Sequence, residues 1–118
     1  MSIIDLLPSD ARLTSVPAGE VIFAQGDRGE LMYVVAEGQA QILIDGKVVE
    51  TVGAGGILGE MALIDAEPRS ATAITKTPCV LVPVDEESFT GLVTRRPQFA
   101  LQVMRVLAHR LRKMDVER

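Results

Sequence analysis

Near Val84 the sequence changes its hydrophobic period, and few folds accommodate that change. Up to this residue the chain is divided into short β-rich runs, which Gly, Pro and Asp separate at intervals of about ten residues. Beyond it, apolar residues recur at spacings of three and four, which indicates helix. A chain that is strand-rich first and helical last predicts an α+β fold with its helices at one end.

Asp45-Gly46 is the clearest turn signal in the strand-rich part. It separates two β-rich runs, 39–44 and 47–52, and an Asp-Gly pair in this setting is typical of a two-residue hairpin. Five other runs predict strands at residues 20–24, 31–36, 57–64, 71–75 and 79–84. Seven or so short strands of this kind are typical of a sandwich, a jelly roll or a small barrel.

Two helices are expected after the strands. Asp85 is a good N-cap, and two glutamates follow it in the first turn. This helix should end before Pro97, because the residue before a proline is pushed out of the α region. Pro97 itself suits the first turn of a second helix over residues 98–114.

Length and composition limit the class of protein. The 118 residues fit one domain, 1–118, with a β roll at about 16–84 and C-terminal helices at about 86–115. A net charge of −4 argues against nucleic acid as a partner, because DNA affinity depends on pairing cations with phosphates. One cysteine and one histidine exclude an internal disulfide and argue against a metal site. With no apolar run long enough for a membrane span and no signal peptide, we expect a cytoplasmic protein without a cofactor.

The segment 59–73, which reads GEMALIDAEPRSATA, carries the clearest chemistry. A Gly-rich corner precedes a short helical piece, whose N-terminal N–H groups attract an anion. Arg69 and Ser70 add a cationic fork and a hydroxyl donor that suit phosphate, while a sugar hydroxyl would satisfy Glu60. Together they indicate a nucleoside monophosphate pocket. The alternative is a simple helix cap beside a solvated Arg–Ser pair.

This segment resembles the phosphate-binding cassette of the cyclic nucleotide-binding domain family, whose pattern runs F-G-E-hydrophobic-A-L and then P-R-S/T/A-A-S/T. Only the leading aromatic differs, since Leu58 stands there. Residues 19–27, 32–38 and 101–112 resemble other parts of the family. The resemblance implies an antiparallel β jelly roll, or double-stranded β helix, with C-terminal helices packed at one end. The family includes bacterial catabolite activator-type regulators, regulatory subunits of cyclic-nucleotide-dependent kinases, and nucleotide-gated channels.

By position, the resemblance implies that Arg69 pairs with the cyclic phosphate and Glu60 accepts a hydrogen bond from the ribose 2′-hydroxyl. Ser70 would contact the phosphate or the base. The other ligand-binding positions implied are Gly59, Met61, Ala62 and Ala71. Met114 and Asp115 stand where hydroxyl residues contact adenine across the dimer of catabolite activators, which favours apolar cover of the base by Met114.

The ligand implied is cAMP, with cGMP as the other candidate. The residue after the arginine is typically Thr in cGMP-selective members and Ser in catabolite activator-type sites, and here it is Ser70. Because nothing resembles a nucleophile–base pair, we expect a non-enzymatic sensor. Ligand-induced shifts around Leu63 and Ile64 would reposition the C-terminal helices and signal to an unidentified protein effector.

Two alternatives stay open. The chain could be a non-binding scaffold or dimerisation module with this fold, or a fragment of a larger channel or transcription regulator. Glu60 and Arg69 argue against the first, since both binding residues are kept. The end at Arg118 leaves no room for a helix-turn-helix, kinase, cyclase or channel domain, so a stand-alone sensor is the expectation.

The last helix carries two apolar stripes. One has coiled-coil spacing and predicts a homodimer, while the other would face the β domain; alternatively, both pack on the β roll. The first stripe consists of Ala100, Met104, Leu107, Leu111 and Met114, and the second of Phe99, Val103 and Val106. The basic residues are interpreted as a solvated face: Arg105, His109, Arg110, Arg112 and Lys113. Cys79 is interpreted as a small buried hydrophobe.

Overall fold

Two four-stranded antiparallel sheets and three α-helices make up the part of the chain that the structure describes. The structure is a computed structural model of residues 2–65 and 67–116, with side chains described as far as Lys113. A 3-10 helix, Ile3–Leu6, precedes the first strand. The strands are β1 Thr14–Val16, β2 Val21–Phe23, β3 Met32–Glu37, β4 Ala40–Ile44, β5 Lys47–Val52, β6 Ile57–Leu58, β7 Thr72–Thr75 and β8 Cys79–Val84. The helices are α1 Met61–Asp65, α2 Glu86–Arg95 and α3 Gln98–Val116.

The strand order within the sheets is that of a jelly roll. One sheet has the order β1-β8-β3-β6 and the other β2-β7-β4-β5, so the chain changes sheet at every step except the β4–β5 hairpin. The predicted fold class, an antiparallel jelly roll with C-terminal helices, is confirmed. Its topology brings β5 of the second sheet and the segment after β6 of the first to the same region of the molecule.

Three strands of the first sheet, β3, β6 and β8, are largely buried on both faces, which explains why they are almost continuously apolar. Val35 and Leu81 point toward the second sheet, within a cluster that also contains Ala40 and Ala73. Their neighbours Val34 and Val82 point the other way, as the two-residue period of a strand requires, and pack against the helices. The helices therefore cover the outer face of this sheet.

The β4–β5 hairpin confirms the turn predicted from its sequence. Asp45 and Gly46 have φ angles of 51° and 79°, as the two central residues of a type I′ turn require. The Asp45 N–H donates to Gln25 Oε1 at 3.0 Å, and Gln25 Nε2 donates back to Asp45 Oδ1 at 3.2 Å. These bonds join the hairpin tip to the chain just after β2.

The helices begin and end close to the predicted residues. Asp85 is the N-cap of α2, and its Oδ1 accepts from the Ser88 N–H at 2.7 Å. The α2 helix ends at Arg95, just before Pro97, and α3 begins at Gln98. Neither α3 nor any other helix in the described ranges has the length and apolarity of a membrane span.

One strand was not predicted, and the bounds of another were wrong. The described ranges contain eight strands, close to the seven or so predicted, and the additional strand is the short and mostly polar β1, which gives no sequence signal. Residues 57–64 do not form one strand: β6 is only Ile57–Leu58, and the helix α1 follows it. Gly59 separates the two with a φ of 70°, which favours glycine and ends the extended run.

The apolar faces of α3 differ in part from those predicted. Phe99, Val103 and Val106 do pack toward the first sheet, but Leu107 of the predicted dimer stripe also contacts this core. The large exposed apolar side chains on the described part of α3 are Met104 and Leu111, which belong to the predicted stripe, and Leu101, which does not. Met114, also predicted in the stripe, has its side chain outside the described part. Cys79 is buried, as predicted.

Candidate functional site

A cavity of about 280 Å³ lies between the β4–β5 hairpin, the segment 59–71 and α3. The seven predicted ligand-binding residues all line it: Gly59, Glu60, Met61, Ala62, Arg69, Ser70 and Ala71. Strands and α3 contribute residues that the sequence did not point to, among them Phe23, Ile42, Ile44, Val49, Glu50, Arg110 and Lys113. The cavity is therefore apolar along the hairpin and charged along the segment and α3.

Arg69 is buried at one side of this cavity, with only 7% of its surface exposed. Its Nη1 donates to the Gly59 carbonyl at 3.0 Å, and its Nη2 to the Leu31 carbonyl at 2.7 Å. The guanidinium also lies over the Phe23 ring, with Cζ 4.1 Å from the ring centre. Among the described atoms, Nε of Arg69 has no hydrogen-bond partner. Neutral groups therefore hold the Arg69 cation, and its Nε–H donor is unpaired among the described atoms.

Two glycines make room for the Arg69 guanidinium. A Cβ on Gly29 would come within 2.2 Å of Nε, and a Cβ on Gly59 within 2.3 Å of Nη1. Neither distance is possible without displacing the side chain. The position of the arginine therefore depends on a glycine from the β2–β3 connection as well as on its own segment.

The electrostatics of Arg69 favour an incoming anion. Desolvation by burial lowers the pKa of this arginine, although electrostatic interactions with Tyr33, Glu60 and Asp27 act in the opposite direction. An arginine nevertheless stays protonated in proteins. In the described ranges no carboxylate comes within ion-pair distance of it. A buried cation without a counter-ion is the arrangement expected of a site that receives an anionic ligand.

Glu60 is buried more deeply, at 3% exposure, and it has a charged partner. Its Oε1 accepts from Nη1 of Arg110 in a close ion pair, which leaves Oε2 to accept from a ligand hydroxyl. The same guanidinium binds Glu50 in a fork, with Nε to Oε1 at 3.1 Å and Nη2 to Oε2 at 3.2 Å. A single α3 side chain thus ties the segment 59–71 to β5.

The role of Arg110 corrects the sequence interpretation of α3. Burial lowers the pKa of its guanidinium, but hydrogen bonds and charges from Glu50 and Glu60 outweigh burial and raise it overall. Lys113 is not a freely solvated charge either, since its Nζ donates to the Val49 carbonyl at 2.9 Å. The other members of the basic cluster are exposed, as predicted: Arg105, His109 and Arg112.

A signal for Arg110 was present in the sequence. It follows Phe99, Val103 and Val106 at spacings of four, three and four, so it continues the buried face of α3. An arginine in such a stripe indicates an acidic partner in the interior. No comparable signal identifies Glu50 or Gly29, because their roles depend on residues distant in sequence.

The remaining predicted residues differ in exposure. Ser70 is exposed beside Arg69 and lines the cavity. Met61 is half exposed, and Ala62 donates its N–H to the Gly59 carbonyl at 3.3 Å. Met114 and Asp115, predicted near the base, have side chains outside the described part.

Known proteins share both the sequence and the fold. The family profile for the "Cyclic nucleotide-binding domain" matches residues 13–96. The cyclic AMP receptor protein of Thermus thermophilus is 34% identical over 97% of this chain and 55% of its own length. The cAMP-dependent protein kinase regulatory subunit of Yarrowia lipolytica is 40% identical over 64% of this chain and 20% of its own.

Solved structures agree with these matches. The crystal structure of Thermus thermophilus catabolite activator protein superposes with a TM-score of 0.83 and 33% identity, over 98% of this chain and 56% of that one. The chain thus spans about half the length of the receptor protein that it matches. The resemblance predicted from the segment 59–73 is confirmed, and the chain belongs to the cyclic nucleotide-binding domain family.

Proposed function

We propose that this chain is a cytoplasmic, non-enzymatic sensor domain whose ligand is cAMP. One observation carries the proposal: a buried Arg69 without a carboxylate partner and a buried Glu60 lie at the same cavity. A cyclic nucleotide supplies the anion that the first needs and the hydroxyl that the second can bind. The names of the relatives support cAMP, since they are a cyclic AMP receptor protein and a cAMP-dependent kinase subunit.

The proposed pose follows the charges around the cavity. The cyclic phosphate lies against Arg69, where the Ser70 hydroxyl and the backbone of Gly59 and Ala71 surround it. The ribose 2′-hydroxyl donates to the free oxygen of Glu60. The base then extends along the apolar wall of the β4–β5 hairpin.

Ligand binding would reach the C-terminal helices through two contacts. A hydroxyl at Glu60 competes with Arg110 for the carboxylate, and Arg110 belongs to α3. Leu63 of α1 packs against the core cluster that contains Phe99 of α3. Ile64, predicted to share this role, is 57% exposed, so the apolar contact rests on Leu63. The helix position would then report the ligand to a protein effector, to the extent that the ligand prefers one arrangement.

Titration calorimetry with cAMP, cGMP and AMP tests the proposal. The two cyclic nucleotides should bind and AMP should bind far more weakly, because its doubly charged, open phosphate does not match one guanidinium in an enclosed site. Binding should also raise the thermal midpoint, by the mass-action effect of a ligand that binds only the folded state. If no cyclic nucleotide binds at millimolar concentration, the chain is a scaffold or dimerisation module with this fold.

Exposed apolar residues on α3 support a homodimer as part of the same proposal. Leu101, Met104 and Leu111 are 44%, 56% and 62% exposed, at spacings of three and seven along one face. A second copy of α3 would cover them. Light scattering should give a dimer mass for the wild type and a monomer mass for Met104→Lys, while Arg105→Lys serves as the control. A monomer mass for the wild type at high concentration would contradict the dimer.

A further inference from the structure

Glu50 lines the cavity, and neither the sequence nor the proposed function explains its carboxylate. It lies on β5, and a continuous series of contacts connects it to Arg69 across the cavity. Arg69 binds the Gly59 carbonyl, and the next residue, Glu60, is paired with Arg110. Arg110 in turn holds Glu50 in its fork. Glu50 therefore lies beyond Glu60 when the cavity is followed from the Arg69 side.

The walls on this side are suited to a planar base. Ile42, Ile44 and Val49 of the β4–β5 hairpin line the cavity next to Glu50. In a cyclic nucleotide, the carbon that carries the 2′-hydroxyl is bonded to the carbon that carries the base. A ligand whose hydroxyl binds Glu60 and whose phosphate binds Arg69 therefore directs its base along these walls, toward Glu50. This step rests on the proposed function.

An ionised carboxylate can only accept hydrogen bonds, with about two lone-pair sites on each oxygen. The fork with Arg110 uses one site on each oxygen of Glu50 and fixes the plane of the carboxylate. The side chain is 29% exposed and lines the cavity, so its remaining sites are accessible. A base with an N–H donor can hydrogen-bond to these free lone-pair sites of Glu50, whereas a base without a donor leaves them unpaired. A binding site with such acceptors discriminates strongly against ligands that lack the donor.

We infer that Glu50 is a specificity-determining residue that recognises an N–H donor on the purine base. Two natural ligands have such a donor: the 6-amino group of adenine, and the N1–H and 2-amino groups of guanine. Both bases are amino-bearing purines, and the experiment below distinguishes adenine from guanine. Lys113, whose Nζ lies beside Val49, adds a positive charge at the same end.

The experiment compares three ligands by titration calorimetry: cAMP, cGMP and purine riboside 3′,5′-cyclic monophosphate, which has no N–H donor on its base. In the wild type, the better of the two natural ligands should bind about 10- to 100-fold more tightly than the unsubstituted purine, as expected for a hydrogen bond to a charged group. Glu50→Leu should reduce this preference to less than about threefold. Because loss of the Arg110 fork affects all three ligands, the ratio of affinities is the readout.

Two further variants make the result decisive. Glu37→Leu removes the same charge from an exposed strand end outside the cavity and should keep the wild-type ratio. Glu50→Gln keeps the side-chain size and one acceptor oxygen, so its ratio should lie between those of the wild type and Glu50→Leu. The natural ligand that loses more affinity in Glu50→Leu is the one whose base Glu50 recognises.

The outcomes separate this inference from the proposed function. A preference that survives in both Glu50 variants, or a wild type that binds all three cyclic nucleotides equally, overturns the inference and leaves the sensor in place. A wild type that binds none of them at millimolar concentration overturns the proposed function, and the role of Glu50 fails with it.

Discussion

Arg69 and Glu60 lie at the same cavity and are buried to a similar degree, yet the protein compensates their charges differently. Arg69 has two backbone carbonyls and an aromatic ring as partners. Glu60 has a full counter-ion, Arg110, supplied from α3. An anion can therefore join Arg69 without breaking an ion pair, whereas a hydroxyl at Glu60 must share the carboxylate with a helix. Arg69 is therefore suited to supply binding affinity, and Glu60 is suited to transmit ligand binding to α3.

The largest expected effect is the loss of affinity in Arg69→Ala. A hydrogen bond to a charged group contributes roughly 1.5–3 kcal/mol, so cAMP should bind about 10- to 150-fold more weakly. Calorimetry measures this loss. Arg28→Ala, which removes an exposed arginine from the neighbouring loop, is the matched control and should bind almost as the wild type does. Equal losses in both variants would show that only the overall positive charge matters.

The second prediction concerns stability, where Arg110 should matter more than an exposed arginine. Arg110→Met leaves Glu60 buried without its counter-ion, and removing one partner of a buried pair is strongly destabilising. Since a fifth of the Arg110 side chain is exposed, we expect the free energy of unfolding to fall by about 1–3 kcal/mol rather than more. Urea denaturation measures the change, with Arg105→Met on the same helix as the control.

A double variant sharpens this second test. Adding Glu60→Gln to Arg110→Met removes the stranded charge, so part of the lost stability should return. If the two substitutions are additive instead, Glu60 and Arg110 are not coupled, and the contrast between the two buried charges is wrong.

The third prediction tests the space around Arg69. Gly29→Ala places a Cβ against the guanidinium and pushes it away from the carbonyls of Leu31 and Gly59. We expect a cost of roughly 1–2 kcal/mol in ligand binding, or about 5- to 30-fold. Gly53→Ala is the control, because a Cβ there meets no atom within 4 Å. Unchanged cAMP affinity in Gly29→Ala would mean that the guanidinium binds ligand from another position.

The smallest expected effect belongs to Ser70, which is exposed beside Arg69. If its hydroxyl binds the phosphate, Ser70→Ala should weaken cAMP and cGMP alike, by about two- to fivefold for a neutral hydrogen bond of roughly 0.5–1 kcal/mol. Paired titrations of both nucleotides measure it. A loss confined to cGMP would show that Ser70 recognises the guanine base, and would contradict the preference for cAMP.

Local patterns predicted the elements that local interactions stabilise. The Asp45-Gly46 turn, the Asp85 cap and the strands Lys47–Val52 and Cys79–Val84 all follow from residues within a few positions of one another. β1 escaped prediction because its three residues form a strand only by pairing with β8, far along the chain. The division of residues 57–64 into a strand and a helix likewise depends on where β6 stops pairing with β3.

By itself the sequence determined a strand-rich part followed by C-terminal helices, and the Glu60–Arg69 segment, because neighbouring residues share a period, a turn or a motif; the jelly roll among the possible β folds was implied by the family resemblance of that segment. Only the tertiary structure decided what surrounds that segment. Arg110 lies 50 residues from Glu60 and 60 from Glu50, and Gly29 is 40 positions before the arginine it accommodates. No local sequence pattern indicates a contact between residues so far apart in the chain. The two charged residues were therefore readable from sequence, but their different partners follow from how the sheets and α3 pack.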